Sequence, residues 1–175
     1  MKRSITFTII ALLVLVATIG CGSGRTKAPD INLFDAIGEE NVSAVKQHMD
    51  AGTNPDILFI PPGYPWAGAS PLHLAVVVGN KEIVGLLISN GAEVDIRAKD
   101  QPGGTPLQWL AFFGKKDMAE ILVNSGAEVN AKDNNGCTAL CAANVPNPFT
   151  KDTDVEFQKA RTAIQDFLKR RGGKL

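Results

Sequence analysis
The chain has 175 residues, 45% of them hydrophobic, and carries 18 basic against 18 acidic side chains, which is the size of one modest domain. Lys2 and Arg3 are the only charges in the first twenty residues, so the remainder holds two more acids than bases. That balance gives no support for a nucleic-acid partner, whose phosphates demand a basic face.

Residues 1–20 have the pattern of an export signal. Lys2 and Arg3 form a positive start, and Ile5–Ile19 is an apolar run without any charge. The run ends Thr18-Ile19-Gly20-Cys21, with a small residue directly before a cysteine. This resembles the bacterial lipoprotein lipobox, which implies cleavage before Cys21 and acylation of its thiol. Thr18 departs from the leucine common at that position. The alternatives are ordinary cleavage and an uncleaved anchor, since the run approaches spanning length. Several acyl chains would hold the domain on a membrane surface, where a single chain would not. The expected location is therefore the cell envelope, as a membrane-anchored lipoprotein of the outer membrane or periplasmic face. Gly22, in place of the aspartate associated with inner-membrane retention, favours the outer membrane. Residues 21–30 then comprise Cys21 and a short polar tether rich in small residues.

A repeating domain is expected from residue 31 to 175. Residues 31–56 are a degenerate first unit, in which Asn41, Val45, Met49, Gly52 and Asp56 match Asn80, Val84, Ile88, Gly91 and Asp95 of the next. Gln47 and His48 stand where that next unit has Leu86 and Leu87, as an exposed capping unit requires, so His48 is expected to be solvated. Residues 57–69 (ILFIPPGYPWAGA) form an insertion whose three prolines and two glycines preclude regular structure. Its Phe59, Tyr64 and Trp66 either fold back over the first unit, the reading favoured by the cost of exposed aromatics, or face a partner.

Residues 70–95 (SPLHLAVVVGNKEIVGLLISNGAEVD) recur as residues 105–130 (TPLQWLAFFGKKDMAEILVNSGAEVN). Ser70 and Thr105 are expected helix N-caps, followed by Pro71 and Pro106 at the first helical position. Leu72, Ala75 and Val76 mark a buried stripe. Gly79 and Gly114 end the first helix, and a second helix starts near Lys81 with Ile83, Val84, Leu86, Leu87 and Ile88 inside. Neither helix pair can bury its apolar face alone, so the pairs must stack. At these residues the chain resembles the ankyrin repeat, with its T-P-L-H-x-A and G-A-x-x-N signatures. The resemblance implies an all-α solenoid of about four helix pairs with hairpin-type tips. It also makes His73, and Gln108 after it, structural hydrogen-bonding residues.

The third unit places Trp109 and Leu110 where the second has Leu74 and Ala75, which predicts a bulkier interior. Residues 138–171 are the fourth unit, entered through the Asn134-Asn135-Gly136 turn signal and interrupted by the prolines of 144–150. Its last helix is expected over 154–171, with Val155, Phe157, Ala160, Ala163, Ile164, Phe167 and Leu168 as the apolar stripe. Cys137 and Cys141, four apart at a helix start, have poor spacing for a disulfide, and two free thiols are expected.

No paired carboxylates, activated nucleophile, phosphate loop or metal-ligand cluster stands out, so the expectation is a protein that is not an enzyme and takes no cofactor or metal. In related solenoids the tips and the exposed side of each first helix line a concave wall. That resemblance puts Asp100, Gln101, Asn134 and Asn135 on the tips and Val77, Val78, Phe112 and Phe113 on the helices, with Tyr64 and Trp66 at the first-unit end. The expected function is a protein–protein interaction module with a partner in this groove. The alternative is an immunity or protective protein that neutralises an enzyme or toxin in the same compartment.

Overall fold
The structure, a computed structural model, describes residues 27–58, 67–148 and 154–175. The expected export signal, Cys21, and the loop aromatics Phe59, Tyr64 and Trp66 lie outside the described residues. Eight helices follow in pairs: α1 (Leu33–Gly38) and α2 (Val42–Asp50), α3 (Pro71–Val78) and α4 (Lys81–Ser89), α5 (Pro106–Phe112) and α6 (Lys116–Asn124), α7 (Ala139–Ala142) and α8 (Val155–Arg170). The first helices pack in a row, α1 on α3 on α5 on α7, and the second helices form a parallel layer, α2 on α4 on α6 on α8. This is the all-α stack that the sequence predicts.

Local chemistry sets the starts of α3 and α5. The Ser70 and Thr105 side chains accept from the backbone N–H of His73 and Gln108, whose own side chains answer the cap backbone, and Pro follows each cap. Such caps are worth roughly 1 kcal/mol each. Gly79 closes α3 in the left-handed region at φ 94°, which a Cβ would strain. Between the two helix layers Ile37, Val45, Leu72, Val84, Leu87, Leu107, Leu110, Leu122, Ile164 and Leu168 are fully buried.

Two polar ladders run along the stack. Asp56 accepts from Glu93 N–H (3.0 Å), Asp95 from Glu128 N–H (2.9 Å) and Asn130 from Lys174 N–H (2.7 Å), so the same position of each unit holds the next stretch of chain. In the second ladder, His73 Nε2 donates to Gly104 O (3.0 Å), while Gln108 Nε2 donates to Ala131 O (2.9 Å) and Cys137 O (2.7 Å). Burial pushes the His73 imidazole down from 6.5 to about 4, with the Gly104 bond opposing in part. Its Nδ1 accepts from Ser70 N–H (3.2 Å), as a neutral ring carrying its proton on Nε2 must.

Four expectations need correction. His48 is buried, 6% exposed: Nε2 donates to Ile31 O (2.8 Å) and Nδ1 accepts from the Thr53 hydroxyl (3.1 Å), so the ring ties the incoming chain to α2. Val155 is 63% exposed, as Asp154 and Glu156 beside it are exposed, so the first turn of α8 does not join the core. The inward position at that end is taken by Arg161, whose Nε and Nη2 donate to Ala143 O (2.8 Å) and Val145 O (2.7 Å). Leu110 thickens the interior as expected, fully buried where the second unit has Ala75, but Trp109 does not. It is only half-buried and leans on the edge of His73, with ring centres 5.0 Å apart.

The fourth correction is that Cys137 and Cys141 form a disulfide, their Cα atoms 5.3 Å apart. Cys137 precedes the Thr138 cap and so lies outside the helix, which relaxes the constraint that helical spacing implied. Cys141 occupies the place of His73 and Gln108, three residues after the cap. Its sulfur bonds back to Cys137, the residue before its own cap.

Candidate partner-binding groove
The tips between units are joined edge to edge. Lys99 N–H donates to Gly68 O (2.8 Å) and Asn134 N–H to Pro102 O (2.8 Å), while Ala98 N–H to Gly104 O (3.0 Å) and Asp133 N–H to Cys137 O (2.9 Å) close the tips themselves. Gly68 is at φ 83°, and a Cβ there would lie 2.6 Å from Lys99 C, so only glycine permits the first junction.

Between this row of tips and the first helices runs a groove of about 790 Å³. Val77 of α3, Trp109 and Phe112 of α5, Phe113 at its end, Ala142 of α7 and Val145 beyond it supply the apolar lining. The aromatics are mutually braced: Phe112 meets Phe113 edge-on at 5.1 Å, and Phe113 lies 6.3 Å from Trp109. Asp100, Pro102, Asp133 and Asn135 line the tip side, and the Cys137–Cys141 bridge lies at the end of the row.

Of the expected site residues, Val77, Asp100, Phe112, Phe113 and Asn135 come together here. Val78 lies instead in a separate depression of about 390 Å³ with Gly79, Lys81, Lys115 and Lys116. Gln101 and Asn134 are exposed on neighbouring tips, joined through Asn134 Nδ2 donating to Gln101 O (3.2 Å), and do not line the groove. Sequence reasoning missed Trp109 as a lining residue. Its spacing of three and four from Phe112 and Phe113 puts all three on one helix face, which was the available signal.

The family model for ankyrin repeats, in three copies, matches residues 33–133. The chain belongs to the ankyrin-repeat family. No curated protein matches it. Ankyrin repeats make protein–protein interaction modules, and the fourth helix pair extends the stack beyond the matched span. Among the described residues no group of three His, Cys, Asp or Glu side chains is placed to hold a metal, and no helix is long and apolar enough to cross a membrane.

Proposed function
We propose that this ankyrin-repeat protein is a non-enzymatic binding module, tethered to a bacterial cell-envelope membrane through lipid on Cys21, that takes a protein partner in the groove of α3, α5 and α7. The observation that carries the reading is a continuous apolar lining drawn from three successive units, with its charged groups, Asp100 and Asp133, on the tip side. An apolar centre with a polar edge is the makeup of an interface, and Trp and Phe are enriched at interface centres.

The tether rests on Lys2-Arg3, the uncharged run Ile5–Ile19 and the Gly20-Cys21 junction. The Cys137–Cys141 disulfide supports an exported location, since such bonds persist in oxidising compartments.

Substitution Phe112→Ser tests the groove. Phe112 is half-buried, so the melting temperature falls by only a few degrees while capture of crosslinked partner from a membrane extract is lost. Retained capture, or global unfolding, refutes the groove. The tether is tested separately by metabolic labelling in a bacterial host: palmitate enters the wild type and not Cys21→Ser, and labelling that persists without Cys21 disproves it.

A further inference from the structure
The charges of the groove say more about its occupant than its apolar lining does. Among the described residues, Asp100 and Asp133 are the only ionisable side chains that line it. Arg97, Lys99 and Lys132 belong to the same tips, yet none of them lines it. Each carboxylate is held by its own turn through one oxygen. Asp100 Oδ1 accepts from Gly103 N–H (2.7 Å), and Asp133 Oδ1 accepts from Asn135 N–H and Cys137 N–H (both 2.8 Å). In both, Oδ2 has no hydrogen-bond partner among the described residues, and neither carboxylate joins an ion pair there. The two acids are therefore fixed in position and lack a counter-charge among the described residues.

The groove also offers a donor. Among the described residues nothing accepts from Trp109 Nε1–H, although the ring is packed against Gly104 and His73. A buried indole N–H would need a partner, and among the described residues no buried polar side-chain atom is left without one, so this N–H reaches solvent on a residue that lines the groove.

We infer that the occupant is a cationic, apolar peptide segment of the partner protein, whose Lys or Arg side chains meet Asp100 and Asp133 while its aliphatic or aromatic side chains lie on Trp109 and Phe112. Three features fit one another in such a segment. Its basic heads supply the missing counter-charge. Their methylene stems cover apolar surface on the way to the rim. A backbone carbonyl of an extended chain can accept from the Trp109 indole. An acidic or acyl-chain occupant would leave both carboxylates opposed or unpaired beside an apolar surface, which is unfavourable.

This inference rests on the groove reading above, and the test separates the two. A random peptide display library is selected against the immobilised full chain, in wild-type, Phe112→Ser and Asp100→Asn/Asp133→Asn forms. Asparagine keeps the oxygen that accepts the turn N–H groups and removes only the charge. Wild type enriches sequences that combine Lys or Arg with large apolar residues. Against Phe112→Ser no enrichment occurs. Against the double asparagine variant the basic preference disappears, and the best wild-type peptide binds about fivefold more weakly at low salt, with a difference that shrinks as salt rises. Neutral or acidic sequences enriched on wild type and lost with Phe112→Ser would overturn the charge inference and leave the groove standing. Absence of enrichment on wild type, or acyl lipid found by native mass spectrometry in the groove of wild type and not of Phe112→Ser, would overturn the peptide occupant altogether.

Discussion

Lowering the pH singles out His73. In the folded chain its imidazole is held at about 4, against 6.5 for the free side chain, and burial is the main cause. As pH falls through 6.5 the unfolded chain takes up the proton first, so the equilibrium moves toward unfolding. Stability from this group is complete above about pH 6.5, declines between there and about pH 4, and changes no further below. A difference of that size corresponds to about 3 kcal/mol, a large part of the 5–15 kcal/mol typical of a domain. His73→Gln makes the measurement specific, because Gln108 already performs the same task without titrating. Its Oε1 accepts from Thr105 N–H (2.7 Å) while its Nε2 reaches the next tip. Urea unfolding of both proteins from about pH 7 to about pH 4 gives two stability profiles, and their difference cancels the carboxylates common to both. The substitution also removes the Trp109 contact, which offsets the two curves at neutral pH without altering their slopes. Wild type should lose about 3 kcal/mol more than His73→Gln across the interval. Parallel profiles would refute the reasoning, since they would mean the ring is protonated without penalty.

Gly68→Ala and Gly91→Ala should differ although both glycines have positive φ. Gly91 has open space around it, so only the backbone term of roughly 1–2 kcal/mol applies, whereas at Gly68 the new methyl meets Lys99 backbone and adds about 1–3 kcal/mol more; calorimetry of the two variants compares them directly. Reduction of the Cys137–Cys141 bridge should lower stability by about 2 kcal/mol, the loop-entropy value for so short a closure, and urea titration with and without reductant measures it.

The parts of this fold that were legible in the sequence are those that depend on neighbours within the chain. Ser70-Pro71, Thr105-Pro106 and the glycines after each helix announce caps and stops through their own conformational preferences, so the helices fall where the pattern puts them. What escaped depends on the next unit. His48 resembles a solvated residue until Ile31 and Thr53 are brought around it. The cysteine pair has poor helical spacing only if both residues are helical, and Cys137 is not. At the groove, Val77, Phe112 and Phe113 could be placed from their register, whereas Val78, one residue further round its helix, turns to a different hollow. That Asp100 and Asp133 form no ion pair among the described residues could not be read from the sequence, because nearby lysines and arginines suggest pairing.

A groove built from α3, α5 and α7 draws on three units that, among the described residues, hold one another chiefly through nearest-neighbour contacts. Linear stacks of this kind open from an end, unit by unit, and here α7 contributes only four residues to the last described one. An occupant lying along the row bridges junctions that open independently in its absence. Binding therefore does more than raise the midpoint of unfolding: it makes the three units melt together, and fraying of the α7 end becomes the step through which the occupant is released.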